Sequence, residues 1–408
     1  MDFIDGLVAG MLYFYIVPFY LAIFSGEIIT LAPWIENYSP IKHVEGTFVI
    51  FLGWLSILAF HFSIRASGWK KAQARIKNSK VRSFKYVLLV YLLTLILSQI
   101  MLGDDAHWRH GVQELQRTSP AYAIVKGFSN AYRFMIGGFV LYMYFNKMID
   151  RKMALALLIC LTTLDVLLTY NRIGLVFFAL GATILYRKYW LYFVPPLVFV
   201  LPLISYASST WTVVRGLYST SGGGVAGMID AWRQASLIVQ THGVVINSVG
   251  QSLFEANNLA SLNFVVTKLV DQIGFQYGAT MFVRPLTTFI PGAIWSGKPP
   301  VFATYVGANG SGIEGHAINS TIIGEAFGNF GYVFPLALCL ALLIYANLFR
   351  WADRFLPGSE YAGFYIGIAM WRFDINFASS SLYAILLVIF CSHLALNILK
   401  VLPLKTPK

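Results

Sequence analysis

Residues 46–64 read GTFVIFLGWLSILAFHFSI, and residues 65–85 read RASGWKKAQARIKNSKVRSFK. The first stretch holds no Asp, Glu, Lys or Arg and is long enough, as a helix, to cross a hydrocarbon core. The second carries Arg65, Lys70, Lys71, Arg75, Lys77, Lys80, Arg82 and Lys85 without one acid. So dense a basic loop belongs on the cytoplasmic side. Alternation from that point predicts further spans over about 6–24, 86–103, 130–145, 153–170, 173–185, 190–206 and 332–349, with two last spans separated near residues 371–380. The count is about ten and both termini are expected inside. The run after Asp2 and Asp5 has an acidic start and no small-residue cleavage site, so a cleaved signal peptide is not expected.

Composition agrees with this reading. Of 408 residues, 57% are hydrophobic and 12% charged, where a soluble domain carries about 25% charged residues. A soluble enzyme, a disordered chain and a disulfide scaffold are excluded. Cys160, Cys339 and Cys391 lie in apolar stretches and read as small hydrophobes. The formal charge of +12 collects at the ends of apolar segments, as topology signals do, so nucleic acid is not an expected partner. The expectation is an all-α polytopic membrane protein, residues 1–408 forming one integral membrane domain.

From 207 to 331 the chain changes character, with Gly, Ser, Thr, Asn and Pro abundant. This is read as one large loop outside the membrane, beginning with the flexible STSGGG (219–224). Helical periods follow over 228–245 and 261–273, their apolar faces meeting the membrane interface or the bundle. The loop closes with RPLTTFIPGAIWSGKPP (284–300) and EGHAINSTIIGEAFGNFGY (314–332).

Cations on the trans side are informative because topology does not require them. Arg172, Arg215, Arg284 and Lys298 could form an anion clamp, since guanidinium holds phosphate in bidentate geometry. Each taken alone is equally explained by snorkelling or by pairing with an acid. His316, Asn319 and Glu325 precede the re-entering span. The histidine could accept a proton from a sugar hydroxyl, with Glu325 orienting it or serving as base itself. Trp211, Tyr218 and Trp295 could stack on sugars or anchor the interface. Asp104, Asp105, His107 and His110 are read as solvating a loop. No P-loop, no acid pair at metal-ligand spacing and no nucleophilic Ser or Cys motif is present.

The Arg-Pro, Ile-Pro, Trp and Lys-Pro pattern of 284–300, followed by Gly-Glu-Ala and Asn-Phe-Gly in GEAFGNFGY (324–332), resembles bacterial oligosaccharide repeat-unit polymerases, the Wzy-type O-antigen polymerases. The hairpin tip YNRIG (170–174) looks like their outer Arg position. The spacing of His316, Asn319 and Glu325 is similar to the His-containing loop of the related O-antigen ligases. One departure is Gly292, where family members often carry Arg.

The resemblance implies a GT-C-like architecture in the bacterial inner membrane. It implies transfer of a growing glycan from an undecaprenyl diphosphate to a hydroxyl of a second lipid-linked repeat unit on the periplasmic face. On this reading Arg172, Arg215, Arg284 and Lys298 bind diphosphate, His316 and Glu325 are catalytic, and Asn319, Trp295 and Tyr218 touch substrate. No metal or cofactor is implied. The expected partners are lipid-linked oligosaccharides, membrane lipids and a chain-length regulator. The alternatives are an O-antigen ligase, moving glycan onto lipid A core, and a lipid-linked oligosaccharide flippase or transporter. Transport expects charges at the membrane midplane, whereas Arg133, Asp165, Arg372 and Asp374 fall near helix ends by these boundaries.

Overall fold

The computed structural model describes residues 1–28, 34–67, 80–102, 119–169, 173–189, 224–242, 256–288, 297–313 and 316–401, with 210, 211, 213, 214, 217, 290 and 295. In chain order the helices are α1 (Phe3–Ser25), α2 (Val44–Ala66), α3 (Lys80–Leu102), α4 (Pro120–Phe145), α5 (Arg151–Thr169), α6 (Ile173–Leu185) and α7 (Gly224–His242). They continue with α8 (257–273), α9 (279–286), α10 (Phe302–Ser311), α11 (Thr321–Phe330), α12 (Phe334–Phe355), α13 (Ser359–Ala369) and α14 (Asn376–Val401). Among the described residues there is no sheet, only an isolated bridge between Ile28 and Tyr38.

Among the described residues three helices are long and apolar enough to cross a membrane: α1, α2 and the run Thr321–Phe355 that α11 and α12 form together. The architecture is that of a membrane protein. Shorter apolar helices cover Tyr86–Leu102 and Asn376–Ser392. The expected span at 190–206, residues 219–223 of the STSGGG start and the loop carrying Asp104, Asp105, His107 and His110 lie outside the described residues.

In lipid there is little hydrophobic gain from bringing helices together, so van der Waals contact between closely approaching backbones has to hold them. The glycines mark where this happens. Gly6 and Gly10 lie one turn apart on α1, and Gly363 and Gly367 one turn apart on α13. A Cβ on Gly6 would strike the carbonyl oxygen of Phe364, and one on Gly367 the carbonyl oxygen of Phe3. Gly138 of α4 meets the backbone of Tyr361 in the same way. Helix α13 is therefore clasped by α1 and α4 and is buried over Ala362–Ala369. Backbone cannot move aside as a side-chain tip can. Gly6→Leu should cost at least about 3 kcal/mol, the upper end of ordinary overpacking. Gly127→Leu, whose Cβ faces open space, should leave thermal unfolding of the detergent-solubilised protein unchanged; equal melting of both variants would refute the packing argument.

Helix α4 begins ten residues before the span expected at 130–145. Pro120 at its first turn and Ser119, whose Oγ accepts the Tyr122 N–H at 3.3 Å, start it early. Lys126, Ser129 and Asn130 break the apolar run but not the helix. The consequence is that Arg133, expected near a helix end, stands near the middle of a 26-residue helix. Asp165 does lie in the last turns of α5.

The late part of the region read as a loop is packed into the core. Asn258 to Val266 are buried, with Asn263 against Gly46 of α2. Helix α11 is buried over Thr321–Asn329, with Ile323 in the notch at Gly53 and Gly328 against the Phe302 ring.

Candidate functional site

The turn between α13 and α14, residues 370–375, is where the candidate residues meet. Trp371 fixes it: its ring is fully enclosed, its Nε1 donates to the Leu7 carbonyl at 2.8 Å, and Tyr15 packs on it at 5.0 Å. Asn319 reaches the same turn, donating to the Trp371 carbonyl at 3.3 Å while accepting the Thr321 N–H at 3.1 Å. Thr321 has φ +66°, a left-handed conformation that is costly for a β-branched residue. That kink lets the chain leave the His316 segment and enter α11 at a sharp angle. The Thr321 hydroxyl meets Tyr15 Oη at 3.2 Å.

One turn along α11, Glu325 is buried and accepts the Ile375 N–H at 2.7 Å. Thr280 stands beside its carboxylate. Asn329, one turn further, donates to the Thr280 hydroxyl at 2.7 Å and accepts the Gly278 N–H at 3.0 Å. The N–H groups of Gln276 and Tyr277 bond the carbonyls of Gly328 and Asn329. These bonds strap the start of α9 to the end of α11. Helix α9 then presents Arg284 toward Asp374.

Arg284 is half-buried, and its Nε is enclosed with no hydrogen-bond partner among the described residues. Burial pulls its pKa below the ordinary guanidinium range and Asp374 pushes it back. It remains a cation. Asp374 faces the N–H groups of Asn376 and Phe377 at the start of α14. That is a capping position, and capping alone would explain an aspartate there. Burial nevertheless pushes its carboxyl up to about 6, against the pull of Arg284 and those N–H groups. Its charge also acts on Glu325. Thr288, in the turn just after α9, donates to Asn376 Oδ1 at 2.5 Å.

Lys298 closes the cluster. Its Nζ donates to the carbonyls of Thr288 at 3.0 Å and Ile290 at 2.6 Å, and its backbone N–H to the Trp295 carbonyl at 3.1 Å. Burial, with Arg284 nearby, pushes the ammonium down to about 8. Glu325 and Arg284 thus meet the turn that carries Asp374, and Lys298 neighbours Arg284.

Arg284, Lys298, Asn319 and Glu325 are brought together here. His316 has other neighbours: its Nδ1 is 2.9 Å from Ser311 Oγ and its ring packs edge-on to Trp34 at 5.5 Å. No bond joins it to Glu325 among the described residues. Trp295 is half-buried and enters through its backbone. Arg172, Arg215 and Tyr218 lie outside the described residues. Asp374, Thr288 and Asn376 were not among the sequence candidates as site residues.

Chemically, the arrangement offers an anion two fixed cations, one with an unused donor. It also offers a carboxylate whose pKa is close to the range useful for proton acceptance. Comparison with protein-family models, with curated proteins and with solved structures finds no match.

Proposed function

We propose that this chain is a polyprenyl-diphosphate-dependent glycosyltransferase that polymerises oligosaccharide repeat units, with about ten spans and its site on the outer face of a bacterial inner membrane. The observation that carries the reading is Arg284, half-buried with its Nε lacking a hydrogen-bond partner among the described residues, and near enough to Lys298 and Asp374 for its charge to act on both. A diphosphate leaving group needs fixed cations where its charge develops. An acceptor hydroxyl needs a base within reach. The sequence resemblance suggests the reaction class, and the geometry supports a division of labour within it.

In this reading Arg284 and Lys298 hold the departing diphosphate, the acceptor oxygen attacks the anomeric carbon, and Asp374 takes the hydroxyl proton. Glu325 and Asn319 hold the 370–375 turn and so position Asp374. The test is purified protein with a defined undecaprenyl-diphosphate-linked repeat unit, scored for ladder formation with and without chelator. No ladder from the folded, purified protein would remove the reading.

His316 provides a sharper check. It bonds Ser311 rather than the cluster, so His316→Asn should keep elongation within about threefold of wild type. A loss approaching the 100-fold or more typical of a missing general base would return the base to His316.

The buried Arg133–Asp165 pair, with Arg133 near the middle of its helix, favours transport as the second reading. Lengthening of lipid-linked units by purified protein without any ion gradient would exclude it.

A further inference from the structure

The basic ends of the helices gather at one end of the bundle. Arg65 at the end of α2 pairs with Asp2 at 3.0 Å, and Phe3 of α1 stacks on Phe349 of α12 at 5.2 Å. Arg350, one residue on, lies 3.6 Å from Glu360 at the start of α13, where Tyr361 packs on Phe145 at 5.9 Å. Phe145 ends α4, and the guanidinium of Arg187 stands over its ring at 5.7 Å. Contact by contact, Arg65, Arg350 and Arg187 share the end that the sequence predicts to be inside.

These cations are not equivalent. Arg65 and Arg350 are matched by acids of neighbouring helices. Residues 147–152 and 187–188, by contrast, carry Lys147, Arg151, Lys152, Arg187 and Lys188 against the single acid Asp150. Asp150 is occupied in capping α5, where it accepts the Met153 N–H at 2.7 Å. Rings hold the two segments together: the Arg151 guanidinium lies 5.3 Å from the Tyr186 ring and 5.9 Å from that of Tyr189. Lys147, Lys152, Arg187 and Lys188 are exposed, and no ion pair joins any of them to an acid among the described residues. Topology asks for cations at this end, not for an unmatched group of them fixed side by side. Away from that end α5 turns an apolar face outward. Met153, Ala156, Ile159 and Cys160 are exposed at helical spacing and continue the line of Lys152. A soluble phosphate or an acidic peptide would match only the cations, whereas an amphiphile with a negative head matches both parts.

We propose that Lys147, Lys152, Arg187 and Lys188 form a docking surface for an anionic phospholipid of the inner leaflet, its phosphate among the cations and an acyl chain along the outward face of α5. Each basic side chain held at such a surface contributes roughly fivefold in binding. The inference is independent of the polymerase reading.

The test places the purified full chain in phosphatidylcholine liposomes carrying a trace of phosphatidylglycerol or phosphatidylcholine with a photoactivatable acyl chain, and maps the adducts by mass spectrometry. Wild type should form at least about fivefold more adduct with phosphatidylglycerol than with phosphatidylcholine on residues 153–160. Yields of the two lipids on the exposed α2 face around Leu55 should be nearly equal. The variant K147Q/K152Q/R187Q/K188Q changes exposed side chains only. Its ratio on 153–160 should fall to that at Leu55, while unchanged adducts at Leu55 show that it folds. Added salt should lower the wild-type ratio as well, an arm that needs no variant. Equal yields on 153–160 in wild type, a ratio indifferent to salt, or a preference that survives in the folded variant each overturns the surface. Loss of the preference on adding glycerol 3-phosphate would point to a soluble phosphate, and loss on adding polyglutamate to an acidic protein; either overturns the lipid assignment. Failure of the same preparation to extend glycans would strike the polymerase reading and leave this surface standing.

Discussion

Arg284→Gln should lower the rate of glycan elongation roughly 30- to 1000-fold, the cost of about 2–4 kcal/mol of transition-state stabilisation from one charge-assisted contact in a dry site. The residue is half-buried at the end of a short helix, and its Nε is enclosed without a hydrogen-bond partner among the described residues. A fully exposed arginine would lose much of its value to solvent; partial burial here preserves it. Glutamine keeps much of the volume, so protein should still accumulate in the membrane, which an immunoblot checks. The same substitution has a second consequence that a purely structural role would not produce. Arg284 pulls the Asp374 carboxyl down. Without that cation the carboxyl must rise above about 6, so the acidic midpoint of the residual activity should move to higher pH. Wild-type chain lengths in Arg284→Gln, or a residual activity with an unmoved midpoint, would separate Arg284 from the chemistry.

The fold was legible where hydropathy is the governing force. Residues 46–64 and α2 (Val44–Ala66) nearly coincide, because charge-free runs of spanning length have few other places to go. Hydropathy failed at α4, where Lys126, Ser129 and Asn130 interrupt the apolar run. Tertiary burial accommodates them, and the Ser119-Pro120 start signal was the better guide to where the helix begins. The spacing of Gly6 with Gly10 and Gly363 with Gly367 was visible too, but a glycine pair says nothing of its partner helix until the backbones meet. At the site, Arg284, Lys298, Asn319 and Glu325 stood out because they share two neighbouring strings. Asp374 did not, because nothing in RFDIN (372–376) distinguishes a helix-capping aspartate from one facing a guanidinium. His316 was coupled to Glu325 by proximity in sequence. The helix that carries Glu325 starts only at Thr321, whose left-handed conformation separates the two segments.

Asp374→Asn should reduce elongation by a factor on the order of 100 to 10,000, the range for losing a positioned general base. The pH profile of the wild type distinguishes this role from capping. A base must be ionised to accept a proton. With the Asp374 carboxyl pushed up by burial to about 6, activity should climb as pH rises through the weakly acidic range, above where an ordinary aspartate ionises. The alkaline side belongs to another group. Lys298 is pushed down to about 8, so above that pH it loses the charge that helps to hold diphosphate, and kcat/KM should fall. Lys298→Arg keeps a cation across the whole range and should flatten the alkaline fall while leaving the acidic rise in place. Asparagine at 374 can still accept backbone N–H bonds through its carbonyl, so the cap survives and the melting temperature should change little even as the acidic rise disappears with the activity. A wild-type profile that is level between pH 5 and 7 would reduce Asp374 to a helix cap and leave Arg284 holding a diphosphate with no base assigned.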